Sequence, residues 1–288
     1  MFRIQYLRRL IACGQRLRLG KLDMCRFLWS YYGSRIPGAL GRRESTQEII
    51  VKNQARDLRL AIRTNARDVE ILEEIFAREA YRFDNPEVNT ILDLGGNIGL
   101  ATVYFQAAFP AAQLACVEPV GENLRVLKRN FELNGVTARV FEAAAGPEDG
   151  TTQFRNRPSD PTFGSAEFSG AVPSSNDEII TVPMISVQSI LDALGWDRID
   201  LLKIDIEGGE RELLKGEPAW LKKVGAVIGE GHTGWGEPYT IGSLEEQLRP
   251  FGFRVELLAD HGGAFVFFAD SSTGAAAGRS VLRSQPVD

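Results

Sequence analysis

Two stretches of the chain concentrate residues that can bind and react. In "ILDLGGNIGL", residues 91–100, an apolar strand pattern carries Asp93 and runs into Gly95, Gly96, Asn97 and Gly99. A glycine-rich turn after a strand presents backbone to a ligand. A dinucleotide site asks for Gly-x-Gly-x-x-Gly, so that the backbone approaches the pyrophosphate and the helix packs closely on the strand. Counted from Gly95, the second and third glycines of that pattern are Asn97 and Leu100, and the dinucleotide reading fails at both. S-adenosylmethionine carries no phosphate and presents an amino acid, a sulfonium and a ribose. The order Asp-x-Gly-x-x-x-Gly suits it, with Asp93 for the ammonium, directly or through water, and Gly95, Asn97 and Gly99 in the turn. Further on, Glu118 ends the next strand pattern in "ACVEP" and is placed for the ribose hydroxyls, as in other nucleotide-binding α/β folds. After the third strand, Glu142, Ala143 and Ala144 are expected to flank the adenine, on topology alone.

The second stretch is "LLKIDIEGGERELLKG", residues 201–216. An apolar strand delivers Lys203, Asp205 and Glu207 to its C-terminal end, where open α/β sheets bind ligands. Asp205 and Glu207 are two apart and share a side if the strand continues that far. Gly208 and Gly209 then open a helix carrying Glu210, Leu213 and Leu214. The following strand ends "VIGEGHTGWGEP" and brings Glu230 and His232 to the same rim. Glu207 reads equally well as a ligand or as an N-terminal acid of the helix at Gly208, and Glu210 as an exposed first-turn acid. His261, in the terminal hairpin turn, reads as surface.

The elements that must position these residues alternate. Strand patterns fall at 90–94, 113–118, 138–143, 199–205, 225–230, 252–258 and 263–269, with helices between them at about 98–108, 121–134, 186–194, 208–216 and 241–250. Such alternation implies right-handed crossovers and a parallel sheet covered on both faces. Only "ADHG" separates the last two strands, which suits antiparallel neighbours. The pattern "DVEILEEIFAREAY" from residue 68 is a helix, with Asp68 as the expected N-cap. Residues 144–185 break the rhythm with two short strands around a Gly/Ser/Pro-rich loop, too long to be idle.

Composition narrows the class. With 288 residues, 44% hydrophobic and 25% charged, the chain can hold one sizeable α/β domain with extras. Its net charge of −5 gives no overall basic field for nucleic acid. Residues 1–43 nevertheless carry +9, read as two short amphipathic helices broken near Gly14 and Gly20. They form a helical cap with solvated arginines or, on the sharper reading, a substrate lid or a surface for acidic lipid. Three scattered cysteines without a CxxC pair argue against a disulfide framework or zinc cluster and fit a reducing compartment. The longest apolar run in the basic N-terminus is short, so the expected location is cytoplasmic. The expected organisation is a basic extension over 1–60, a catalytic domain over 61–270 and a disordered tail over 271–288.

Together, "ILDLGGNIGLATVYF", "VEPVGENLRVLKRNFELNG", "LLKIDIEGGERELLKG" and the Glu-x-His after the following strand resemble the FkbM-type S-adenosylmethionine-dependent methyltransferases, over roughly residues 66–268. "KIDIEGGE" is the most specific part, resembling the family's Lys-Ile-Asp-x-Glu-Gly-x-Glu motif. The resemblance implies an α/β class I methyltransferase fold, a seven-stranded mostly parallel sheet with a terminal antiparallel hairpin. It also implies methylation of a hydroxyl of a carbohydrate or secondary metabolite, usually in bacteria. An aliphatic hydroxyl needs help to lose its proton. His232 is the expected base, with Asp205 and Glu230 orienting it or the acceptor. The alternative is a divalent cation held by Asp205, Glu207 or Glu230, although no spacing demands one. Two competing readings are a nucleic-acid or protein methyltransferase and a non-catalytic cofactor-binding protein. The first is disfavoured because Asp-Ile-Glu-Gly stands where base-amino methylation uses Asn/Asp-Pro-Pro-aromatic.

Overall fold

The computed structural model describes residues 2–33, 45–53, 56–156, 164–166, 178–233 and 238–271. The described chain opens with helices α1 (Phe2–Arg16) and α2 (Lys21–Tyr32), then strands β1 (Thr46–Lys52) and β2 (Asp57–Arg63). Helix α3 (Ala66–Leu72) continues into a π-helical turn, Glu73–Ala77. The alternating region follows as β3 (Thr90–Leu94), α4 (Leu100–Ala108), β4 (Gln113–Val117), α5 (Gly121–Asn134) and β5 (Ala138–Phe141). A smaller sheet is then built from β6 (Ala144–Gly146), β7 (Gly150–Asn156), β8 (Gly164–Ala166) and β9 (Glu178–Ser186). The chain returns through α6 (Val187–Leu194), β10 (Ile199–Ile204), α7 (Glu210–Leu213), β11 (Val224–His232), α8 (Ile241–Leu248), β12 (Phe253–Asp260) and β13 (Ala264–Ser271).

The seven-stranded sheet has the order β12-β13-β11-β10-β3-β4-β5. Strands β11, β10, β3, β4 and β5 run parallel, and β13 lies antiparallel between β11 and β12. The seven strand patterns of the sequence are these seven strands. Alternation along each strand divides its apolar residues between two cores. Ile91, Leu114, Cys116, Leu201 and Ile228 face one core with α1–α5, while Leu92, Leu94, Val117, Leu202 and Ile204 face the other with α6 and α8. Switch-point geometry puts the loops after β3 and β10, which are adjacent, at one end of the sheet.

Three expectations differ from what the structure shows. Helix α1 runs through Gly14, and the chain breaks only after Arg16. Residues 46–63 form a hairpin that the sequence reading missed, and position 60 falls inside β2. The cap of α3 is Asn65, whose side chain accepts from the Asp68 N–H at 2.7 Å. Asp68 is instead buried in an ion pair with Arg63, 2.9 Å apart. The hairpin is fastened by α5: Asn130 accepts from the Ala61 N–H at 2.6 Å and donates to the Ala61 carbonyl at 3.0 Å, as a neighbouring strand would. Leu10 and Cys13 of α1, Leu17 just after it and Phe27 of α2 belong to the same core as α4 and α5. Most of the loop over 155–178 and all of the tail beyond 271 lie outside the described residues. Among the described residues no helix is long and apolar enough to cross a membrane.

Candidate functional site

A cavity of ≈ 740 Å³ opens at the C-terminal ends of β3, β4, β10 and β11. One half is lined by the glycine turn and Glu118, the other by Asp205, Glu207, Glu230 and His232. The turn leaves β3 with Gly95 at φ +82°, and a Cβ there would overlap the carbonyl oxygen of Asp205. The two motifs of the sequence are thus in backbone contact. Asn97 continues the turn at φ +48° and donates its N–H to Glu118 Oε2 at 2.8 Å.

Glu118, 4% exposed, also accepts from the Val120 N–H at 2.9 Å and from Asn123 Nδ2 at 3.0 Å, both through Oε1. Burial, the largest influence, raises its pKa against the pull of these hydrogen bonds. A carboxylate offers about four lone-pair sites. Three are taken, and the remaining one belongs to Oε2, on the cavity wall.

The remaining cofactor residues are placed differently from one another. Asp93 is fully buried and does not line the cavity. Its oxygens engage Lys203 Nζ at 3.0 Å and the Thr102 hydroxyl at 2.6 Å, so it braces the turn from beneath rather than meeting a ligand. Gly99, at φ +82°, starts α4 against Leu127 and Phe131, also outside the lining. Glu142 is exposed and paired with Lys128 of α5 at 2.6 Å, because the chain ends β5 before it and its side chain lies along the helix. Ala143 is buried outside the lining, and the next two residues, Ala144 and Ala145 of β6, form that part of the wall.

The reactive half holds an interlocked set of carboxylates. Glu210, expected as an exposed acid, is 1% exposed. It accepts from the N–H groups of Ile206 at 2.9 Å and Gly208 at 3.0 Å, and faces His232 Nδ1 at 3.2 Å. Glu207 takes φ +54° and brings Oε2 within 3.6 Å of His232 Nε2, and Glu230 Oε2 lies at 3.9 Å. Burial works against a charged imidazole, but Glu210, then Glu207 and Asp205, outweigh it and hold the His232 pKa well above the ordinary histidine value. His232 therefore keeps its proton at neutral pH, which opposes its expected role as a free base. Burial first, then the charge of Asp205, pushes Glu230 up to about 9. Burial likewise pushes Glu207 up to about 7.

Several lining residues escaped the sequence reading. Glu74, Arg78 and Tyr81 come from the π-helical turn and the segment after it, and Tyr81 donates its hydroxyl to Asp205 Oδ2 at 3.2 Å. Tyr6 and Arg9 reach the wall from α1, with Arg9 held by Glu73 at 3.0 Å. His261 is exposed, as expected, and stands at the cavity edge. The i, i+3 spacing of Tyr6 and Arg9 in a basic helix was the available signal, but which cavity they face is a tertiary fact.

The family model for the methyltransferase FkbM domain matches residues 93–255, more than half of the chain. The methyltransferase sdnD of Sordaria araneosa is 31% identical over 174 residues, covering 51% of this chain and 67% of that protein. The 31-O-demethyl-FK506 methyltransferase FkbM of Streptomyces tacrolimicus is 26% identical over 223 residues, covering 66% of this chain and 84% of that protein. The AMB antimetabolite synthetase AmbE of Pseudomonas aeruginosa is 28% identical over 229 residues, and the match spans 11% of its length.

Proposed function

This chain belongs to the FkbM family of S-adenosylmethionine-dependent methyltransferases, and we propose that it methylates a hydroxyl of a carbohydrate or secondary metabolite. The observation that carries the reading is one cavity shared by the Gly95–Asn97 turn with Glu118 and by the Asp205–Glu207–Glu230–His232 cluster. The name of the Streptomyces relative, a 31-O-demethyl-FK506 methyltransferase, agrees with transfer to oxygen.

The residues present fit the cofactor. Asn97 Oδ1 is buried beside Glu118 with no hydrogen-bond partner among the described residues, and Glu118 keeps one lone-pair site, so both suit donors such as ribose hydroxyls. Lys203 donates to the Gly95 carbonyl at 2.6 Å and fixes the turn on which an amino-acid portion would rest. When bound, the cofactor supplies an electrophilic methyl group.

The chain's own part is alignment and proton handling. Holding acceptor oxygen and methyl carbon in line can supply several kcal/mol by proximity. The cluster would hold the acceptor oxygen facing the methyl group that a cofactor seated on the Gly95–Asn97 turn would supply. The hydroxyl proton passes to a carboxylate of the cluster beside His232, whose ring Glu210 orients.

Calorimetric titration with S-adenosylmethionine tests the first half of this reading. Binding is expected, and Glu118→Ala should weaken it about tenfold or more, as loss of a charge-assisted hydrogen bond costs ~1.5–3 kcal/mol. Absence of binding to the unaltered chain would sink the enzyme reading. A labelled-methyl screen over hydroxylated acceptors tests the second half, and label on nitrogen or carbon instead of oxygen would refute it.

A further inference from the structure

We propose that Asp205, Glu207, Glu230 and His232 form a site for one divalent cation, with Glu210 fixing the histidine ring. Strands β10 and β11 are parallel neighbours with Ile204 opposite Gly229, so Asp205 leaves β10 beside Glu230. Glu230 and His232 are two apart on β11 and share a face. The Nδ1 side of His232 is held by Glu210, itself anchored to two backbone N–H groups. A carboxylate on one imidazole nitrogen is how proteins orient the other toward a metal. That other nitrogen, Nε2, exchanges its proton for the ion on binding, and it stands 3.6 Å from Glu207 and 3.9 Å from Glu230. Ligand atoms about 2.0–2.2 Å from one ion sit roughly 3–4 Å from each other. Asp205 also belongs, since ligand atoms of Asp205, Glu210 and His232 all lie within 4.8 Å of one another.

A separate observation points to a positively charged ligand. Glu74 Oε1 is buried in the same cavity wall with no hydrogen-bond partner among the described residues. The neighbouring cations are mainly committed to other groups: Lys203 lies against Asp93 and the Gly95 carbonyl and approaches Asp205 only to 3.8 Å, and Arg78 pairs with Glu73 at 3.1 Å. Buried carboxylates without compensating charge are costly, and a bound cation compensates several at once. Three carboxylates and one imidazole favour a hard ion of the Mg²⁺ or Mn²⁺ type. Its role rests on the function proposed above: the ion would bind the acceptor hydroxyl and lower its pKa, while the released proton leaves through the cluster.

The test uses the full chain stripped with EDTA, dialysed and titrated with MnCl₂, without S-adenosylmethionine, and read by electron paramagnetic resonance. One Mn²⁺ per chain is expected, displaceable by Mg²⁺, with electron spin-echo modulation from a single imidazole nitrogen. Glu230→Gln and Asp205→Asn should each weaken binding about tenfold or more, and Glu210→Gln, outside the ligand set, by about 10–100-fold. No retained Mn²⁺ at millimolar concentration, or no nitrogen modulation, overturns the site, and both are read on the unaltered chain. Methyl transfer that persists in EDTA while Mn²⁺ fails to bind would overturn the cation and leave the proposed function standing. Mn²⁺ binding without cofactor binding would do the reverse.

Discussion

Lys203 Nζ lies 3.0 Å from Asp93, donates to the carbonyls of Gly95 at 2.6 Å and Leu94 at 3.3 Å, and stands 3.8 Å from Asp205. One buried ammonium thus joins the cofactor turn to the carboxylate cluster. Burial opposes its charge, but Asp93 and Asp205 outweigh that and raise its pKa. Lys203→Met should be strongly destabilising, because it leaves Asp93 buried and unpaired. Breaking such a pair costs about 3–5 kcal/mol. Urea unfolding checks the stability, and a loss of less than about 1 kcal/mol would show that the pair is not needed. At the same scale, His232 shows why residue type alone misleads. A histidine beside acids invites the role of base, but Glu210, then Glu207 and Asp205, hold its proton on.

At the scale of elements, the site depends on pieces outside the alternating strands and helices. The π-helical turn closes with the Arg78 N–H on the Glu73 carbonyl at 2.9 Å. Glu74 and Arg78, four residues apart and so on one side of this turn, both line the cavity. The β1–β2 hairpin is docked by Asn130 and Asn134 of α5, which bond the backbone of Ala61 and Arg59. Asn130 also donates to the Ile98 carbonyl at 2.8 Å, so hairpin, helix and cofactor turn share one side chain. Asn130→Ala would leave buried backbone groups unsatisfied, at about 1–3 kcal/mol for each. Asn134→Ala, whose bonds to Arg59 are only partly buried, should cost less. Thermal melts of the two variants give the comparison, and equal effects would contradict this account of the docking.

For the whole molecule, the buried acids set a pH dependence. Burial first, then the charge of Asp205, pushes Glu74 up to about 7, alongside Glu207 at about 7 and Glu230 at about 9. A carboxyl whose pKa is higher folded than unfolded stabilises fully below about pH 4.5 and loses that contribution as pH rises through the folded value. His232, also raised, contributes below about 6.5 and loses its contribution above. Glu210 has the opposite sign: its lowered pKa contributes stability above about 4.5 that is lost in acid. The metal-free protein should therefore melt highest on the acid side of neutrality and fall between pH 6 and 9. A chain of this size changes by roughly 2–4 °C per kcal/mol. Glu74→Gln removes one such acid and should flatten the curve between about pH 5 and 8. Calorimetric scans in EDTA measure it, and a melting temperature that climbs from pH 6 to 9 would refute the assignment.

Much of this molecule is legible in its sequence. The seven strands, their covering helices and the antiparallel end follow from period-two apolar runs and a four-residue link, which are local physics. Glu118 and the Gly95–Asn97 turn were legible because a strand end followed by glycines has few uses. Glu142 and Ala143 were misplaced because topology locates a loop but not the direction of a side chain, and Lys128 took Glu142 outward. Asp93 was identified as important but put on the wrong side of the turn, since only packing shows that Lys203 rises beneath it. Tyr6, Arg9 and Glu74 reach the cavity over long sequence separations, through contacts that no local pattern encodes. The protonation of the carboxylate cluster belongs to the tertiary structure alone, because burial and the approach of several like charges exist only once the sheet has formed.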